Sequence, residues 1–125
     1  MIVGTGIDIV KISRIQNLLS KYGERFLTRA FHPTEKHKAL ALPAPSQATY
    51  LASRWAAKEA LHKALRTHRL LFPEIEITRL NNHSAPTFNF HGTALAIITQ
   101  KQYHNIWLSI SHEEEYAIAS VTIEK

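Results

Sequence analysis

Cysteine is absent from this sequence, which excludes disulfide bonds, thiolate catalysis and cysteine-based zinc sites. No apolar run reaches the length that a membrane-spanning helix needs. The first residues also lack the basic segment and the uninterrupted apolar stretch of a signal peptide. We therefore expect a cytoplasmic protein without a membrane partner.

Acidic residues are fewer than basic ones: 10 Asp and Glu stand against 15 Lys and Arg, and the formal net charge is +5. Such a balance favours a polyanionic partner, which includes nucleic acid, a phosphorylated ligand and an acidic protein. The 8 histidines are scattered and show no recognisable metal-binding spacing. With 45% hydrophobic residues in a chain of 125, one modest core is expected, so residues 1–125 are predicted to form a single domain.

A stretch rich in alanine and leucine, without glycine or proline, predicts a helix from about residue 47 to about residue 66, with Ser46 as its N-cap. Trp55 belongs to the apolar face of this helix. Glu59 and Lys63 continue the same row one and two turns later. The two charged residues form either an ordinary i,i+4 ion pair or part of a functional site.

The stretch Ile2–Ile9 is short and apolar and predicts a first strand, in which Gly4 and Gly6 indicate a bulge or a close backbone approach. Asp8 is the polar exception in this strand. Burying an acid is costly unless the acid is paired or binds a metal. Asp8 is therefore either exposed on the wet face of an edge strand or part of a site.

The remaining periodicities predict an order of one strand, several helices, and then strands with one helix. That order indicates an α+β fold with a mainly antiparallel sheet. Helices are expected at Lys11–Tyr22, at Arg25–Phe31, from His32 onward and at Gly92–Gln102; strands at Ile75–Leu80, Thr87–Phe90, Ile106–Ile110 and Tyr116–Ile123; a loop at Leu42–Ser46 and a turn at Asn81–Pro86.

Four segments stand in a characteristic order: Gly6–Val10, Arg54–Leu65, Ser84–Pro86 with the following strand and Gly92, and Leu108–Ala119. Together they resemble the small acyl-carrier-protein synthases, the short members of the 4'-phosphopantetheinyl transferase superfamily. The W-x-x-K-E-A-x-x-K-A helix combined with the late S-x-S-H-x-x-x-Y-A strand pair makes the resemblance specific. It covers nearly the whole chain and implies the fold of that superfamily, a mainly antiparallel sheet packed against a long central helix.

The resemblance also implies a reaction. The protein would take coenzyme A, move its phosphopantetheine arm onto a serine of apo-acyl carrier protein and release adenosine 3',5'-bisphosphate, as a step of fatty acid biosynthesis. This is phosphoryl transfer, in which positioning and charge neutralisation contribute most. Coenzyme A and an acidic acyl carrier protein are therefore the expected partners.

By the same resemblance, Asp8 and Glu59 would bind Mg²⁺, because carboxylate oxygens are hard ligands. Val10 stands where longer relatives have a third acid, so a water would take that place. Lys63 would face the pyrophosphate and offset or protonate the leaving phosphate. Asp8, Glu59 and Lys63 are thus the catalytic candidates. The base that takes the serine proton stays open among Glu59, a metal-bound hydroxide and a partner carboxylate.

Four further residues are candidates for binding coenzyme A. Arg54 and His112 match family positions that contact the adenosine 3'-phosphate, and Pro86 matches the segment on the adenine side. A guanidinium and a protonated imidazole both suit a phosphate. Capping of the hairpin turn is an alternative role for His112. His62 stands where the family often has a small hydroxylated residue.

The short members of the family are homotrimers with active sites between neighbouring subunits, so the resemblance implies a homotrimer here. His112 and Pro86 would then come from the subunit next to the one that supplies the metal ligands. Arg14 and Arg25 would meet an acidic helix of the carrier protein, although solvated surface charge is equally open for both.

The chain departs from the family pattern at Arg66–Arg69, where the short members usually have a glycine-containing turn near the phosphates. Without glycine the backbone would approach coenzyme A less closely, and side-chain donors would substitute for backbone donors.

Two hypotheses from other classes remain. A small basic nucleic-acid-binding domain agrees with the net charge, and a trimeric structural protein would bind without catalysis. The chain shows no RNP-type, KH or helix-turn-helix signature, and its basic residues are not confined to one face. We therefore expect no nucleic acid partner.

Overall fold

The computed structural model describes residues 1–67, 69–81 and 83–125. Two residues lie outside the described residues: His68, in the segment Arg66–Arg69 that departs from the family pattern, and Asn82, in the predicted turn. Over the described residues the chain forms five strands, β1 (Ile2–Lys11), β2 (Ile75–Thr78), β3 (Thr87–Phe90), β4 (Asn105–His112) and β5 (Tyr116–Glu124); five helices, α1 (Ile12–Tyr22), α2 (Glu24–Ala30), α3 (Pro33–Ala41), α4 (Ala44–Leu65) and α5 (Gly92–Lys101); and a 3₁₀ turn, Phe72–Glu74. None of the described helices combines the length and the hydropathy that crossing a bilayer requires.

The central strand β5 pairs antiparallel with β1 on one side and β4 on the other. Its alternate side chains Ala117, Ala119, Val121 and Ile123 are buried, because successive strand residues point to opposite faces and α4 covers one of them. The strands β2 and β3 form the predicted hairpin as a separate two-stranded sheet. The predicted α+β class, with a mainly antiparallel sheet against a long helix, is confirmed.

The long helix α4 begins earlier than the sequence predicted. Ser46 is not its N-cap; it lies in the first turn, where its N–H donates to the carbonyl of Pro43 at 2.9 Å. Pro45 is compatible with this position because the first N–H groups of a helix have no partner within it. The predicted loop Leu42–Ser46 is therefore wrong in its second half, since the prolines begin the helix instead of delaying it.

The backbone of β1 approaches α4 closely at two glycines. A Cβ atom added to Gly4 would overlap the carbonyl oxygen of Ala64, and one added to Gly6 would overlap that of Ala60. The pairing of β1 with β5 also shifts register near its start. Of the two alternatives that the glycines predicted, the close approach is confirmed at both of them, and a bulge or irregularity in the pairing lies beside Gly4. The close approach places β1 beside the second half of α4.

We expect Gly6→Ala to destabilise the protein by about 1–3 kcal/mol, because the added methyl group must push β1 away from α4. Thermal unfolding measures this change. Thr5→Ala is the control, since Thr5 is the exposed neighbour on the opposite face of the strand. Equal melting temperatures for Gly6→Ala and the wild type would contradict the close approach.

A buried ion pair, which the sequence did not reveal, connects α4 to the preceding helices. Lys58 and Glu35 are 0% and 1% exposed, and Nζ of Lys58 lies 2.7 Å from Oε1 of Glu35. The same ammonium donates to the carbonyls of Ala30 at 3.0 Å and Phe72 at 2.9 Å. Burial lowers the pKa of Lys58, and the charge of Glu35 opposes this effect. Three bonds occupy all three ammonium donors, so the group is fully satisfied.

Candidate active site

Asp8 lies on the face of β1 that packs against α4. Its side chain is 16% exposed, and Nζ of Lys63 donates to its Oδ1 at 3.1 Å. The same ammonium donates to the carbonyl of Ile7 at 2.9 Å. Of the two interpretations that the sequence left open for Asp8, this placement favours a paired acid at the contact of β1 with α4 over an exposed residue on the wet face.

Glu59 lies on α4, one turn before Lys63, and its side chain is 25% exposed. Its Oε1 is 3.6 Å from Nη2 of Arg69. Among the ion pairs of the described residues, Lys63 pairs with Asp8 and not with Glu59. Each of the two carboxylates thus has its own cation. Lys63, which follows Glu59 by one helical turn, connects α4 to Asp8 of β1.

The donor chemistry of Asp8 and Glu59 fits a hard divalent cation such as Mg²⁺, which prefers carboxylate oxygens and keeps several waters. Both carboxylates are partly exposed, so a hydrated ion can reach them. Val10, at the position of the third acid of longer relatives, is buried in the core and offers no ligand atom. Two protein ligands would leave coordination positions for water and phosphate oxygens.

A second group of ligand atoms comes together in His32, Glu76 and His91, where one atom from each lies within 4.8 Å of the others. Each side chain is already engaged. Glu76 accepts from Asn89 and lies 2.9 Å from the His91 ring, while Nδ1 of His32 accepts the N–H of Thr34 at the start of α3. Two imidazole nitrogens suit zinc-like ions better than Mg²⁺. The spacing of the histidines did not predict this group, because only tertiary folding joins its members.

Arg54 and His112 line one cavity of about 1150 Å³, named here the Arg54 cavity, between α3, α4 and the ends of β2 and β4. Nη1 of Arg54 donates to the hydroxyl of Ser53 at 2.9 Å, and its guanidinium lies 4.1 Å from the centroid of the Tyr50 ring. Burial lowers the pKa of Arg54, yet a guanidinium stays charged at neutral pH. His112 is the last residue of β4. The structure therefore brings the two proposed phosphate ligands together.

The catalytic candidates lie elsewhere in the protomer. Among the described residues that line the Arg54 cavity, none is Asp8, Glu59 or Lys63. On α4, Glu59 follows Arg54 by five residues, which turns the side chains about 140° apart around the helix axis. Pro86 is buried just before β3 and is likewise not among the described lining residues. One protomer thus presents the predicted residues in separate groups.

A smaller cavity of about 440 Å³, the Trp55 groove, connects Glu59 with the predicted docking residue Arg25. Its wall is aromatic: the rings of Trp55 and Phe72 meet edge to face with centroids 5.1 Å apart. The guanidinium of Arg14 lies 5.9 Å from the centroid of the Trp55 ring. Both predicted docking residues therefore lie at an apolar surface next to a candidate metal ligand.

His62 supports the segment that follows α4. Its ring is buried, and its Nε2 accepts the N–H of Leu70 at 3.0 Å. At the start of this segment Arg66 has a φ of 65°, and the N–H of Thr67 donates to the carbonyl of Leu65 at 2.7 Å across it. A non-glycine residue thus has a positive φ in the segment where the resemblance implies a glycine-containing turn. His62 lies beneath this segment and not at its solvent surface.

Burial, followed by the charge of Arg69, lowers the pKa of His62 below its usual value near 6.5. The unfolded chain then binds the proton first, so stability is complete above about pH 6.5 and falls as the pH decreases. The wild type should lose up to about 1.4 kcal/mol of unfolding free energy per pH unit through this group. We expect His62→Gln to lack this contribution. Urea unfolding at pH 5, 6 and 7.5 measures it. A constant difference in stability between variant and wild type would contradict the assignment.

Comparison with known proteins shows which family this chain resembles over its whole length. A family model described as the 4'-phosphopantetheinyl transferase superfamily matches residues 4–121. The holo-[acyl-carrier-protein] synthase of Maridesulfovibrio salexigens is 43% identical over 128 residues, which cover 100% of this chain and 100% of that protein. The solved structure of holo-[acyl-carrier-protein] synthase from Neisseria meningitidis is similar with a TM-score of 0.87 at 36% identity, over 100% of both chains. The structure from Bacillus anthracis, in complex with CoA (3',5'-ADP), has a TM-score of 0.81 at 31% identity and covers 100% of this chain and 98% of that one.

Proposed function

The chain belongs to the holo-[acyl-carrier-protein] synthases of the 4'-phosphopantetheinyl transferase superfamily, and we propose that it transfers the 4'-phosphopantetheine group of coenzyme A to a serine of apo-acyl carrier protein. The products are holo-acyl carrier protein and adenosine 3',5'-bisphosphate, for fatty acid biosynthesis in the cytoplasm. The observation that supports this proposal is the contact of Lys63 on α4 with Asp8 on β1, one helical turn after Glu59.

In the proposed mechanism, the serine oxygen of the carrier attacks the phosphorus next to the pantetheine arm, and the bond to the adenosine-bearing phosphate breaks. The serine hydroxyl proton passes to a base, for which Glu59 and a carboxylate of the carrier are candidates. Asp8 and Glu59 would hold Mg²⁺, which neutralises the pyrophosphate oxygens when it is bound. The carbonyl of Ile7 accepts a hydrogen bond from Lys63 and holds its ammonium beside Asp8. The ammonium would therefore lie close to the pyrophosphate. From there Lys63 donates a hydrogen bond or a proton to the leaving phosphate, which would otherwise accumulate charge.

The separation of the two groups of residues supports a homotrimer with active sites between neighbouring subunits. In one protomer, none of the described residues that line the Arg54 cavity is a catalytic candidate. The uncovered face of the three-stranded sheet offers a surface for self-association, because its apolar side chains are exposed: Val3, Ile7, Ile9 and Trp107. Light scattering should give three times the chain mass of 14.2 kDa. A monomer at assay concentrations would contradict the shared site.

The Trp55 groove supports docking of an acidic amphipathic helix from the carrier protein. Such a helix places apolar residues in a groove and acidic residues on its rim. The groove offers an apolar wall with the arginines Arg25 and Arg29 at its edge. Because the groove also includes Glu59, a carrier docked there would present its serine beside the candidate metal ligands.

Intact mass spectrometry tests the proposed transfer. The protein is incubated with coenzyme A, Mg²⁺ and an apo-acyl carrier protein, and a parallel reaction contains EDTA in place of Mg²⁺. We expect the carrier to gain the mass of one phosphopantetheine arm only when Mg²⁺ is present. No mass gain with several carrier types would refute the transferase. The alternative of a nucleic-acid-binding domain receives no support from the relatives described above.

A further inference from the structure

The segment that follows α4 brings a guanidinium to the candidate metal ligand Glu59. Nη2 of Arg69 lies 3.6 Å from Oε1 of Glu59, and both residues line the Trp55 groove. This distance is longer than a hydrogen bond, so the contact is an ion pair without a fixed donor geometry. Such a pair can open when a stronger cation approaches the same oxygen.

The position of Arg69 is supported by its neighbours in the fold. Its guanidinium lies 5.7 Å from the centroid of the Phe72 ring, within the range of a cation–π contact. The next residue, Leu70, is buried, and its N–H donates to Nε2 of His62 at 3.0 Å. The His62 ring in turn stacks on Phe72 with centroids 5.3 Å apart. Helix α4 therefore holds the backbone beside Arg69, and the aromatic wall of the groove supports its side chain.

The charge of Arg69 acts on the groups around it. After burial, it is the second cause of the lowered pKa of His62. A guanidinium stays protonated in proteins, so Glu59 faces a permanent positive charge. That charge opposes the approach of a second cation to the same carboxylate.

The other candidate ligand, Asp8, is paired with a cation that has a different role. Nζ of Lys63 donates to Oδ1 of Asp8 at 3.1 Å and to the carbonyl of Ile7 at 2.9 Å. Lys63 would act on the pyrophosphate, and it is not among the described residues that line the Trp55 groove. Arg69 lies in that groove, so its pairing with Glu59 needs an explanation of its own.

We propose that Arg69 is a positioning residue, which holds the carboxylate of Glu59 in the metal-free protein and is displaced from it by a divalent cation. The inference rests on the proposed function, which supplies the metal. Without metal, Arg69 neutralises a carboxylate that is only 25% exposed beside an aromatic wall. With metal, it is a like charge near the ion and weakens its binding. Arg69 thus raises the Mg²⁺ concentration at which the site fills.

Electron paramagnetic resonance of Mn²⁺ tests this role, because Mn²⁺ prefers the same carboxylate oxygens and the signal of the free ion measures binding directly. The whole protein is titrated without coenzyme A and without a carrier. Arg69→Gln should bind Mn²⁺ about three- to ten-fold more tightly than the wild type, and Arg69→Lys, which keeps the charge, should stay within about two-fold. Raising the salt concentration from about 0.05 M to about 0.5 M should reduce the difference, since salt screens exposed charges.

Arg66→Gln is the matched control. Arg66 is an exposed arginine in the same segment, and the ion pair of Glu59 among the described residues is with Arg69. The same loss of charge should leave the Mn²⁺ affinity within about two-fold of the wild type. Melting temperatures in EDTA check the fold, which should tolerate both changes because Arg69 is 70% exposed.

Equal Mn²⁺ affinities of the wild type and Arg69→Gln, no binding by either, weaker binding by Arg69→Gln, or the same gain in Arg66→Gln would overturn the inference. Carrier modification separates these results from failure of the proposed function. Wild-type protein that modifies no carrier refutes the transferase. Wild-type protein that modifies the carrier with Mg²⁺, yet binds Mn²⁺ as tightly as Arg69→Gln does, refutes only the role of Arg69.

Discussion

Glu59→Gln is expected to lower the rate of carrier modification by about 10³-fold or more, to below detection in an intact-mass assay, while the melting temperature stays close to that of the wild type. The amide keeps the size of the side chain but removes the negative charge that a divalent cation needs. The fold should tolerate the change, because the pair of Glu59 with Arg69 is 3.6 Å long and Arg69 is largely exposed.

Glu113→Gln is the matched control for this experiment. Glu113 is an exposed acid in the turn between β4 and β5, so the same change of charge occurs outside the group of Asp8, Glu59 and Lys63. Titration with Mg²⁺ distinguishes a lost ligand from a lost base, since only a lost ligand shifts the Mg²⁺ requirement. Near-normal, Mg²⁺-dependent rates for Glu59→Gln would show that the ligand assignment is wrong.

Lys58→Met is expected to destabilise the protein by about 3–5 kcal/mol, equivalent to about 10–20 °C in the melting temperature. Methionine keeps most of the volume, but it leaves the buried charge of Glu35 without its cation. The carbonyls of Ala30 and Phe72 also lose their donor. Such a loss is a large part of the total stability of a small domain.

Lys63→Met is the control for Lys58→Met, because Lys63 lies on the same helix but is 55% exposed. We expect Lys63→Met to change the free energy of unfolding by less than about 1 kcal/mol and to impair transfer. Chemical denaturation measures the first effect and the intact-mass assay the second. If Lys58→Met is no less stable than Lys63→Met, the three buried bonds of Lys58 do not hold the helices together.

Local patterns account for most of the elements of this fold. The hairpin of β4 and β5 follows from two apolar strands around a polar turn, and α5 runs from Gly92 to Lys101 within one residue of the prediction. Gly4 and Gly6 indicated a close approach before their partners on α4 were known. The start of α4 was the main error, because proline both interrupts and begins helices, and the choice depends on its neighbours.

The buried pair of Lys58 and Glu35 could not be predicted from the sequence. A lysine in a helix of mixed composition is usually solvated. Lys58 is buried because α2, α3 and the 3₁₀ turn supply its three hydrogen-bond acceptors, and these elements are distant from it in the sequence. The group of His32, Glu76 and His91 was missed for the same reason, since its members come from three separate parts of the chain.

The sequence by itself determined the identity of the catalytic candidates, because Asp8, Glu59 and Lys63 stand in motifs whose chemistry and order resemble one family. Only the tertiary structure decided which charges meet. It pairs Lys63 with Asp8 across two elements and turns Arg54 away from Glu59 on the same helix. It also brings Arg69 to Glu59. The physical reason is that Coulomb forces and hydrogen bonds depend on distances in space, which spacing along the chain specifies only within one helix or strand.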